Sequence, residues 1–396
     1  MKAIITKSVA SGKINAPASK SYAHRLLICA ALSDNAEIKN VELSNDIVAT
    51  LACLSNLGFL CEFNGKSVEF AGKIDKNETL DCFESGSTLR FLIPLALVLK
   101  GDVIFTGTEK LFSRGLSVYE DIFEKQEIDY KLEKNRLEIH GELKPGKYEV
   151  DASISSQFIS GLLFALPLLK GDSEIVLKGK IESKPYIDIT LDCLSKAGVE
   201  VLETQSGYKI KGNQKYCLKE AEVEADYSNA AFLDGLNLLG GNVEIMNLNP
   251  HSKQGDKVYK EIYPKLVSEH PLIDLKDAID LGPVLFTLAA YYNGAKFINI
   301  ERLRIKESDR VSETLKMLDH FGAKYSVSDN EVEIYRSELH APKEELQLPN
   351  DHRIVMAIAI LLTRFGGTMN NVEAVNKSYP NFFKDLEELG VEVKYE

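Results

Sequence analysis

Six segments of the chain are apolar around the full circumference of a helix and carry polar residues mainly where they begin. Their first turns contain Lys20, Ser87, Ser156, Ser228, Gly282 and His352. These positions recur at intervals of about 54 to 72 residues, and such a period indicates an internal repeat. The chain is therefore predicted to contain six copies of one structural unit.

The segments between these helices also repeat. Most copies continue into a short β-branched strand and then into an amphipathic helix. Four of the amphipathic helices are predicted to stop at a glycine in the left-handed conformation, at Gly58, Gly198, Gly322 and Gly390. Gln126 takes the place of this glycine in the second copy, and the fourth copy lacks the pattern. The predicted fold is α/β, with six βαβαββ repeats.

The length and the apolar helices together predict two domains. A chain of 396 residues exceeds the usual size of one core, and a helix that is apolar on every face must be enclosed. We expect three repeats per domain, with the apolar helices inside and the sheets outside. The first strand, residues 2–6, has no complete repeat of its own. The predicted domains are residues 19–225 and residues 1–18 together with 226–396.

Composition excludes several classes of function. A net charge of −12 argues against nucleic acid, which requires an extended basic face. No apolar run reaches the length of a membrane span and no secretory leader is evident, which predicts a cytoplasmic protein. The six cysteines lack metal-ligand spacing and are predicted to be buried, reduced thiols. The two commonest nucleotide-binding glycine loops are absent.

Four cations lie near the starts of the apolar helices: Lys20, Arg25, Arg90 and Arg353. The N-terminal end of a helix carries partial positive charge, so cations there are unfavourable unless an anion binds beside them. Their recurrence in an acidic chain predicts an anionic ligand.

Other polar residues have simpler explanations. Ser228 and Asp351 are predicted as N-caps. The segment RLRIKESDRV, residues 302–311, fits a charged helix start with paired charges on a solvated face. On this basis alone it does not indicate a site.

Eight motifs in order along the chain resemble those of the enolpyruvyl transferases: PASKSYAHR, SGSTLR, SISSQF, SKPYIDIT, DAIDLGP, RIKESDR, NDHR and NKSYPNFF. The resemblance implies a two-domain inside-out α/β barrel of six βαβαββ units, three per domain, with the active site in the cleft between the domains. It also implies transfer of the enolpyruvyl group of phosphoenolpyruvate to the 5-hydroxyl of shikimate 3-phosphate, with release of phosphate. This reaction lies on the shikimate pathway to chorismate and the aromatic amino acids.

The same resemblance implies two sets of binding residues. For shikimate 3-phosphate they are Lys20, Ser21, Arg25, Ser155, Ser156, Gln157, Ser183, Tyr186, Asp280 and Lys306. For phosphoenolpyruvate they are Lys20, Gly86, Arg114, Gln157, Arg310, Arg353 and Lys377. No metal or organic cofactor is expected. The expected partners are the two substrates and the inhibitor glyphosate, which competes with phosphoenolpyruvate, and the protein is expected to be a monomer.

The reaction needs an acid and a base, and two carboxylates in a cationic site can divide that work. We assign Asp280 to the substrate hydroxyl and Glu307 to proton exchange at C3 of phosphoenolpyruvate. Lys20 and Lys377 are assigned as further groups for proton transfer and charge stabilisation. His352 is either a hydrogen-bond partner near the leaving phosphate or a helix-capping residue.

Three positions depart from the family pattern: Glu84, the Arg114–Gly115 pair and Arg302. They leave the shape of the phosphoenolpyruvate pocket and the role of Arg302 open. One alternative is the sister enzyme that acts on UDP-N-acetylglucosamine, but its reactive cysteine has no counterpart in the loop KLFSRGLSV. The other is a non-catalytic, anion-binding paralogue, which the retained lysines and carboxylates argue against.

Overall fold

The computed structural model describes residues 1–396. The helices are α1 (Lys20–Ala31), α2 (Asn45–Asn56), α3 (Gly86–Leu99), α4 (Glu109–Phe112), α5 (Ser117–Gln126), α6 (Ser156–Ala165), α7 (Lys184–Lys196), α8 (Tyr227–Leu238), α9 (Tyr259–Ser268), α10 (Gly282–Tyr291), α11 (Arg310–Asp319), α12 (His352–Phe365) and α13 (Phe382–Glu388).

The strands are β1 (Lys2–Ile5), β2 (Ser11–Ile14), β3 (Ala36–Lys39), β4 (Phe59–Phe63), β5 (Ser67–Lys73), β6 (Thr79–Asp81), β7 (Val103–Thr106), β8 (Asp129–Leu132), β9 (Arg136–His140), β10 (Lys147–Asp151), β11 (Ser173–Lys178), β12 (Val201–Thr204), β13 (Gly207–Ile210), β14 (Glu220–Glu222), β15 (Asn242–Ile245), β16 (Leu272–Asp274), β17 (Gly294–Ile298), β18 (Lys324–Val327), β19 (Glu331–Tyr335), β20 (Gly367–Asn370) and β21 (Val393–Tyr395).

These elements form two compact units. One consists of Ala18–Glu224 and is called the continuous unit. The other combines Met1–Pro17 with Ala225–Glu396 and is called the split unit. Each unit has a hydrophobic cluster of its own. None of the helices is both long and apolar enough to cross a membrane.

The continuous unit contains three four-stranded sheets of the same design. Their strand orders are β14-β3-β5-β4, β6-β7-β9-β8 and β10-β11-β13-β12. In each sheet the first pair is parallel and the other two pairs are antiparallel. Strand β14 lies at the end of this unit's sequence but pairs with β3 near its beginning. The last strand therefore completes the first repeat.

The apolar helices α1, α3 and α6 form the core of the continuous unit. Nearly every residue of these helices after the first turn is buried. Phe91 of α3 contacts Phe164 of α6, with ring centroids 5.6 Å apart, and His24 of α1, 6.4 Å away. The amphipathic helices α2, α5 and α7 bury one face only. Burial therefore follows the hydrophobic pattern of the sequence.

The split unit repeats this design less regularly. One sheet has four strands, in the order β16-β17-β19-β18, and a second has three, in the order β20-β1-β21. The fourth repeat keeps only the parallel pair β2 and β15. Strand β1 pairs antiparallel with both β20 and β21, so residues from the two ends of the sequence share one sheet. Helices α8, α10 and α12 are buried among these elements.

The ends of the amphipathic helices agree with the sequence pattern except in the second repeat. Gly58, Gly198, Gly322 and Gly390 all have positive φ, between 75° and 99°, as a left-handed C-terminal cap requires. The assignment of Gln126 was wrong by one residue. Gln126 is the last residue of α5, and Glu127 adopts the left-handed conformation with φ of 58°.

Two predicted helix starts in the split unit were also wrong. Asp226, not Ser228, is the N-cap of α8, because its carboxylate accepts the backbone NH of Asn229 at 2.7 Å. The charged segment RLRIKESDRV does not begin a helix until Arg310. Asp309 caps that helix, and the residues before it form a short 3-10 turn, Glu301–Ile305, followed by a bend.

Four of the six cysteines are buried in the apolar cores, as predicted: Cys29, Cys53, Cys82 and Cys193. Cys61 is half-buried, and the prediction of burial was wrong for the exposed Cys217. All six are free thiols.

Candidate active site

Lys20 is the first residue of α1, where the sequence predicted a cation opposed to the helix dipole. Its ammonium lies 2.7 Å from Oδ2 of Asp46 in the first turn of α2. The side chain of Asp46 is only 5% exposed, so this ion pair is shielded from water. The sequence analysis did not identify Asp46. The sequence did contain a signal for Asp46, because it is an acidic residue on the core-facing side of the amphipathic helix α2.

Arg25 lies one turn further along α1 and connects that helix to the start of α7. Its guanidinium donates to Oγ1 of Thr190 at 2.7 Å and to the carbonyls of Ser21 at 2.7 Å and Tyr186 at 3.0 Å. Burial lowers the pKa of Arg25 to about 10, which still leaves it charged at neutral pH. Three predicted shikimate 3-phosphate residues, Ser21, Arg25 and Tyr186, are therefore close together.

Ser183 precedes α7 in a left-handed conformation, with φ of 55°, and is 1% exposed. A non-glycine residue held in this conformation costs free energy, and such residues are concentrated at functional sites. This backbone geometry supports the assignment that the SKPYIDIT motif suggested.

A second cluster lies where α3 and α6 begin. Ser155 caps α6 by accepting the backbone NH of Gln157, and the Gln157 amide donates to Oγ of Ser87 at 3.0 Å. Arg90 donates to Oε1 of Gln157 at 2.8 Å. It also donates to the carbonyls of Arg114 and Gly115, both at 3.2 Å. Arg90, predicted as an anion-binding cation, therefore connects Gln157 to the loop that carries Arg114.

Gly86 is the first residue of α3, and Arg114 lies directly against it. A Cβ atom at position 86 would be 2.8 Å from Nη1 of Arg114 and 3.3 Å from Nη1 of Arg90. A side chain here would have to displace the guanidinium of Arg114. The structure thus brings together two residues that were predicted to bind phosphoenolpyruvate.

In the split unit, the guanidinium of Arg310 is surrounded by carboxylates. Its Nε donates to Oδ2 of Asp351 at 2.8 Å, Nη1 to Oδ1 of Asp280 at 2.8 Å, and Nη2 to Oε2 of Glu307 at 2.7 Å. Arg310 is 2% exposed. One buried cation therefore holds both carboxylates that the sequence analysis assigned to acid–base chemistry.

Asp280 lies in a 3-10 turn, Ile279–Leu281, immediately before α10. Besides Arg310, it lies 3.6 Å from Nζ of Lys306, and its Oδ2 lies 3.7 Å from Nη2 of Arg353. Burial raises the pKa of Asp280, but the three surrounding cations outweigh it and hold that pKa well below its ordinary value. Asp280 is therefore ionised.

Lys306 has a pKa lowered to about 8. Burial is the main cause; the carboxylate of Asp280 opposes it, and the nearby charge of Arg302 adds to it. At neutral pH most of Lys306 is protonated, but it titrates close to that range. This effect of Arg302 was not predicted from the sequence.

The start of α12 contains Asp351, His352 and Arg353. Asp351 is the N-cap, as predicted, because its Oδ1 accepts the backbone NH of Arg353 at 3.0 Å. The same carboxylate holds Arg310 through its other oxygen. The capping alternative for His352 was wrong, since His352 is the first helical residue, and it is 2% exposed. Lys377, 8% exposed, ends a 3-10 turn at Val372–Lys377.

Comparison with known proteins identifies the family. The family model described as EPSP synthase (3-phosphoshikimate 1-carboxyvinyltransferase) matches residues 5–386. The chain belongs to the EPSP synthase family. It is 40% identical to a 3-phosphoshikimate 1-carboxyvinyltransferase of Clostridium novyi, over 98% of this chain and 97% of the relative. It is also 40% identical to that of Clostridium kluyveri, over 96% of each chain.

Solved structures of other proteins share the fold. EPSP synthase from Acinetobacter baumannii superposes with a TM-score of 0.79 at 21% identity and covers 100% of both chains. The enolpyruvyl transferase NikO of Streptomyces tendae gives a TM-score of 0.79 at 12% identity, over 99% of this chain and 98% of NikO. The predicted enolpyruvyl transferase resemblance and α/β fold class are therefore confirmed.

One buried carboxylate near the EPSP synthase motifs was missed entirely. Asp256 accepts a short hydrogen bond from Oγ of Ser228 and is 4% exposed. Burial and the charge of Asp280 raise the pKa of Asp256 to about 7. The segment HSKQGDKV that carries it has no helical or strand period, so the pattern of apolar residues gave no signal.

Proposed function

We propose that this chain is a 3-phosphoshikimate 1-carboxyvinyltransferase. It transfers the enolpyruvyl group of phosphoenolpyruvate to the 5-hydroxyl of shikimate 3-phosphate and releases phosphate, in the pathway to the aromatic amino acids. The family match over residues 5–386 and the full-length relatives support this assignment. The observation that carries it is the arrangement of Asp280 and Glu307 around one buried arginine, since the reaction needs both an acid and a base.

Most of the proposed shikimate 3-phosphate residues belong to the continuous unit. The hydroxyl and ammonium groups at the start of α1 and the serines before α6 and α7 suit a phosphate and a carboxylate, because the N-terminal end of each helix also carries partial positive charge. The proposed residues are Lys20, Ser21, Arg25, Ser155, Ser156, Gln157, Ser183 and Tyr186, with Asp280 and Lys306 at the ring hydroxyls.

The proposed phosphoenolpyruvate site uses the arginines, because a planar guanidinium binds carboxylate and phosphate through two hydrogen bonds. The proposed residues are Lys20, Gly86, Arg114, Gln157, Arg310, Arg353 and Lys377.

The charges around Asp280 suggest how substrate binding prepares the chemistry. Without ligands, Lys306, Arg310 and Arg353 hold the pKa of Asp280 so low that it is a weak base. Anionic substrates that neutralise these cations will raise that pKa. Asp280 then accepts the proton of the 5-hydroxyl as that oxygen bonds to C2 of phosphoenolpyruvate, and a proton held by Glu307 is delivered to C3.

In the second half of the reaction, Glu307 takes a proton back from C3 and Asp280 gives its proton to the leaving phosphate. The tetrahedral adduct loses a proton from the methyl group that C3 has become, the C2–C3 double bond re-forms, and the bond from C2 to the phosphate oxygen breaks. Lys20 and Lys377 stabilise the charge that develops on the leaving phosphate. Each group returns to its starting protonation state, so no cofactor enters the balance.

Phosphate release tests this assignment against both alternatives. The purified protein is incubated with phosphoenolpyruvate and either shikimate 3-phosphate, UDP-N-acetylglucosamine or no acceptor. We expect phosphate only with shikimate 3-phosphate. Release with the nucleotide sugar would indicate the sister enzyme, and no release with any acceptor would indicate a binding paralogue.

We also propose that the protein is a monomer, because one chain carries all the motif residues. Size-exclusion chromatography with light scattering tests this proposal.

A further inference from the structure

Helix α8 holds the guanidinium of Arg353 from one side. Nη1 of Arg353 donates to Oδ1 of Asn229 at 3.4 Å. One turn further along α8, the ring of Phe232 lies under the same guanidinium, with 5.9 Å between Cζ and the ring centroid. On another side, Nη2 lies 3.7 Å from Oδ2 of Asp280. Two residues of α8 therefore fix both the plane and the direction of this arginine.

Asn229 is well placed to act as a rigid support. It is 0% exposed, and its backbone NH is held at 2.7 Å by the capping carboxylate of Asp226. A buried amide in an apolar helix destabilises the fold unless its polar atoms form hydrogen bonds. Thr287, a buried residue of α10, meets this requirement within its own helix by donating to the carbonyl of Pro283. Asn229 instead directs its oxygen at Arg353.

Two buried donors of this pair have no acceptor: Nε of Arg353 and Nδ2 of Asn229. A buried donor without an acceptor destabilises a protein, so each such group calls for an explanation. Two such donors on contacting side chains, one at the start of α8 and one at the start of α12, fit an arrangement completed by an anion's oxygen atoms. This supports a function in ligand binding rather than in packing alone.

We propose that Asn229 is a positioning residue that orients the Arg353 guanidinium toward phosphoenolpyruvate. The proposal rests on the function of Arg353 proposed above. Asn229 acts through Oδ1, which fixes Nη1 and so determines where the remaining donors of Arg353 point. Loss of this contact leaves the positive charge in place but lets the guanidinium rotate. The expected effect therefore falls on the affinity for phosphoenolpyruvate and not on that for shikimate 3-phosphate.

The decisive experiment compares the KM values of the two substrates in Asn229→Ala and Asn229→Asp. Loss of a hydrogen bond to a charged group costs roughly tenfold to a hundredfold in affinity, and this bond is long. We therefore expect Asn229→Ala to raise the phosphoenolpyruvate KM about 5- to 20-fold. The shikimate 3-phosphate KM is expected to stay within about twofold of the parent. Asn229→Ser, which keeps an acceptor oxygen, is expected to lie between the parent and the alanine variant.

The aspartate variant gives a signature that a packing defect cannot. It matches asparagine in shape but places a carboxylate against Arg353, where it competes with the anionic substrate. We expect its phosphoenolpyruvate KM to rise above that of Asn229→Ala, because the carboxylate, unlike alanine, also neutralises part of the Arg353 charge. A phosphoenolpyruvate KM no higher than that of the alanine variant would contradict the proposal.

Two controls separate the possible failures. Thr287→Val removes a buried hydroxyl in the same unit and is expected to leave both KM values unchanged. Arg353→Lys tests the assumption about Arg353 itself: if its phosphoenolpyruvate KM is normal, the proposed function of Arg353 fails. If Arg353→Lys is defective but Asn229→Ala and Asn229→Asp are normal, the inference about Asn229 is overturned. An equal rise in both KM values would overturn it as well.

Discussion

Asp280, Glu307 and Asp351 share one buried arginine, and the sequence predicted only part of this arrangement. The motif DAIDLGP indicated Asp280 and RIKESDR indicated Glu307, but the two are joined through Arg310, which is 30 residues from Asp280 in sequence. Asp351 was predicted as an N-cap, and that prediction is confirmed. Its second contact, with Arg310, depends on how α11 packs beside α12, which no local pattern reports.

Replacing Asp280 with asparagine tests the acid–base assignment. The amide keeps the shape of the carboxylate but cannot accept a proton. We expect kcat to fall by roughly 10² to 10⁴, the range for losing a general acid or base, while shikimate 3-phosphate still binds. Steady-state kinetics and equilibrium binding measure the two effects, and Asp329→Asn, at an exposed site in the same unit, is the matched control. Near-normal turnover would remove Asp280 from the mechanism.

Asp256 is a buried carboxyl whose environment opposes ionisation. Burial and Asp280 raise its pKa to about 7, although the hydrogen bond from Ser228 and the charge of Arg353 act in the other direction. The unfolded chain releases this proton near pH 4, whereas the folded protein holds it to about pH 7. The carboxyl therefore stabilises the fold most below pH 4, and that contribution is lost as the pH rises through 7.

Replacing Asp256 with asparagine is expected to remove this loss, because an amide has no charge to bury. The variant should be more stable than the parent at pH 8, by about 1–3 kcal/mol, with a much smaller difference at pH 5. Thermal unfolding midpoints at the two pH values provide the measurement, with Asp329→Asn as the exposed control. An equal difference at both pH values would show that the effect does not come from titration of Asp256.

At the scale of elements, the hydrophobic pattern located all six apolar helices. Helices α1, α6, α10 and α12 begin at the residues used as markers, and α3 and α8 begin one residue earlier. The pattern succeeded because a helix that is apolar on every face has only one stable environment, the interior. It failed at Glu127 and Asp226, where the choice of capping residue depends on one turn of backbone rather than on periodicity.

The start of α3 carries a further test. Replacing Gly86 with alanine places a Cβ 2.8 Å from Nη1 of Arg114, so that guanidinium must move. We expect the phosphoenolpyruvate KM to rise about 5- to 20-fold, in line with the loss of one charge-assisted contact. We propose that glyphosate inhibits the parent and that its inhibition constant rises further, because the inhibitor is longer than the substrate.

Inhibition assays on the parent and Gly86→Ala measure both effects. Gly171→Ala is a matched control in the same unit, since its Cβ would meet only the side chain of Pro145, at 3.0 Å. A parent enzyme insensitive to glyphosate would refute the proposal for the inhibitor. An alanine variant with unchanged kinetics would show that the Arg114 guanidinium can move aside without weakening substrate binding.

At the scale of the whole molecule, the two units differ in how their sequence is distributed. All three sheets of the continuous unit are formed from residues 18–224. The split unit takes β1 and β2 from the first 17 residues and everything else from residues 225–396. The repeat count followed from the sequence, but the missing strands of the fourth repeat did not, because short strands have weak periodicity.

This difference predicts how the chain behaves when it is divided. We expect a fragment of residues 18–224 to fold alone, because its core and its strand pairs are complete. Residues 225–396 are expected not to fold, because β15 lacks its partner and β20 and β21 lack the strand between them. Circular dichroism and cooperative thermal unfolding of the two fragments test this. A folded fragment of 225–396 would show that β1 is dispensable.

The position of β1 between β20 and β21 also determines how late in synthesis this sheet can be completed. Residues 2–5 are made well before their partners, which are residues 367–370 and 393–395. A nascent chain has completed residues 18–224 long before this sheet can close. During that interval β1 is an unpaired strand, of the kind that chaperones protect from aggregation. Slowing translation should therefore increase the demand for such chaperones rather than relieve it.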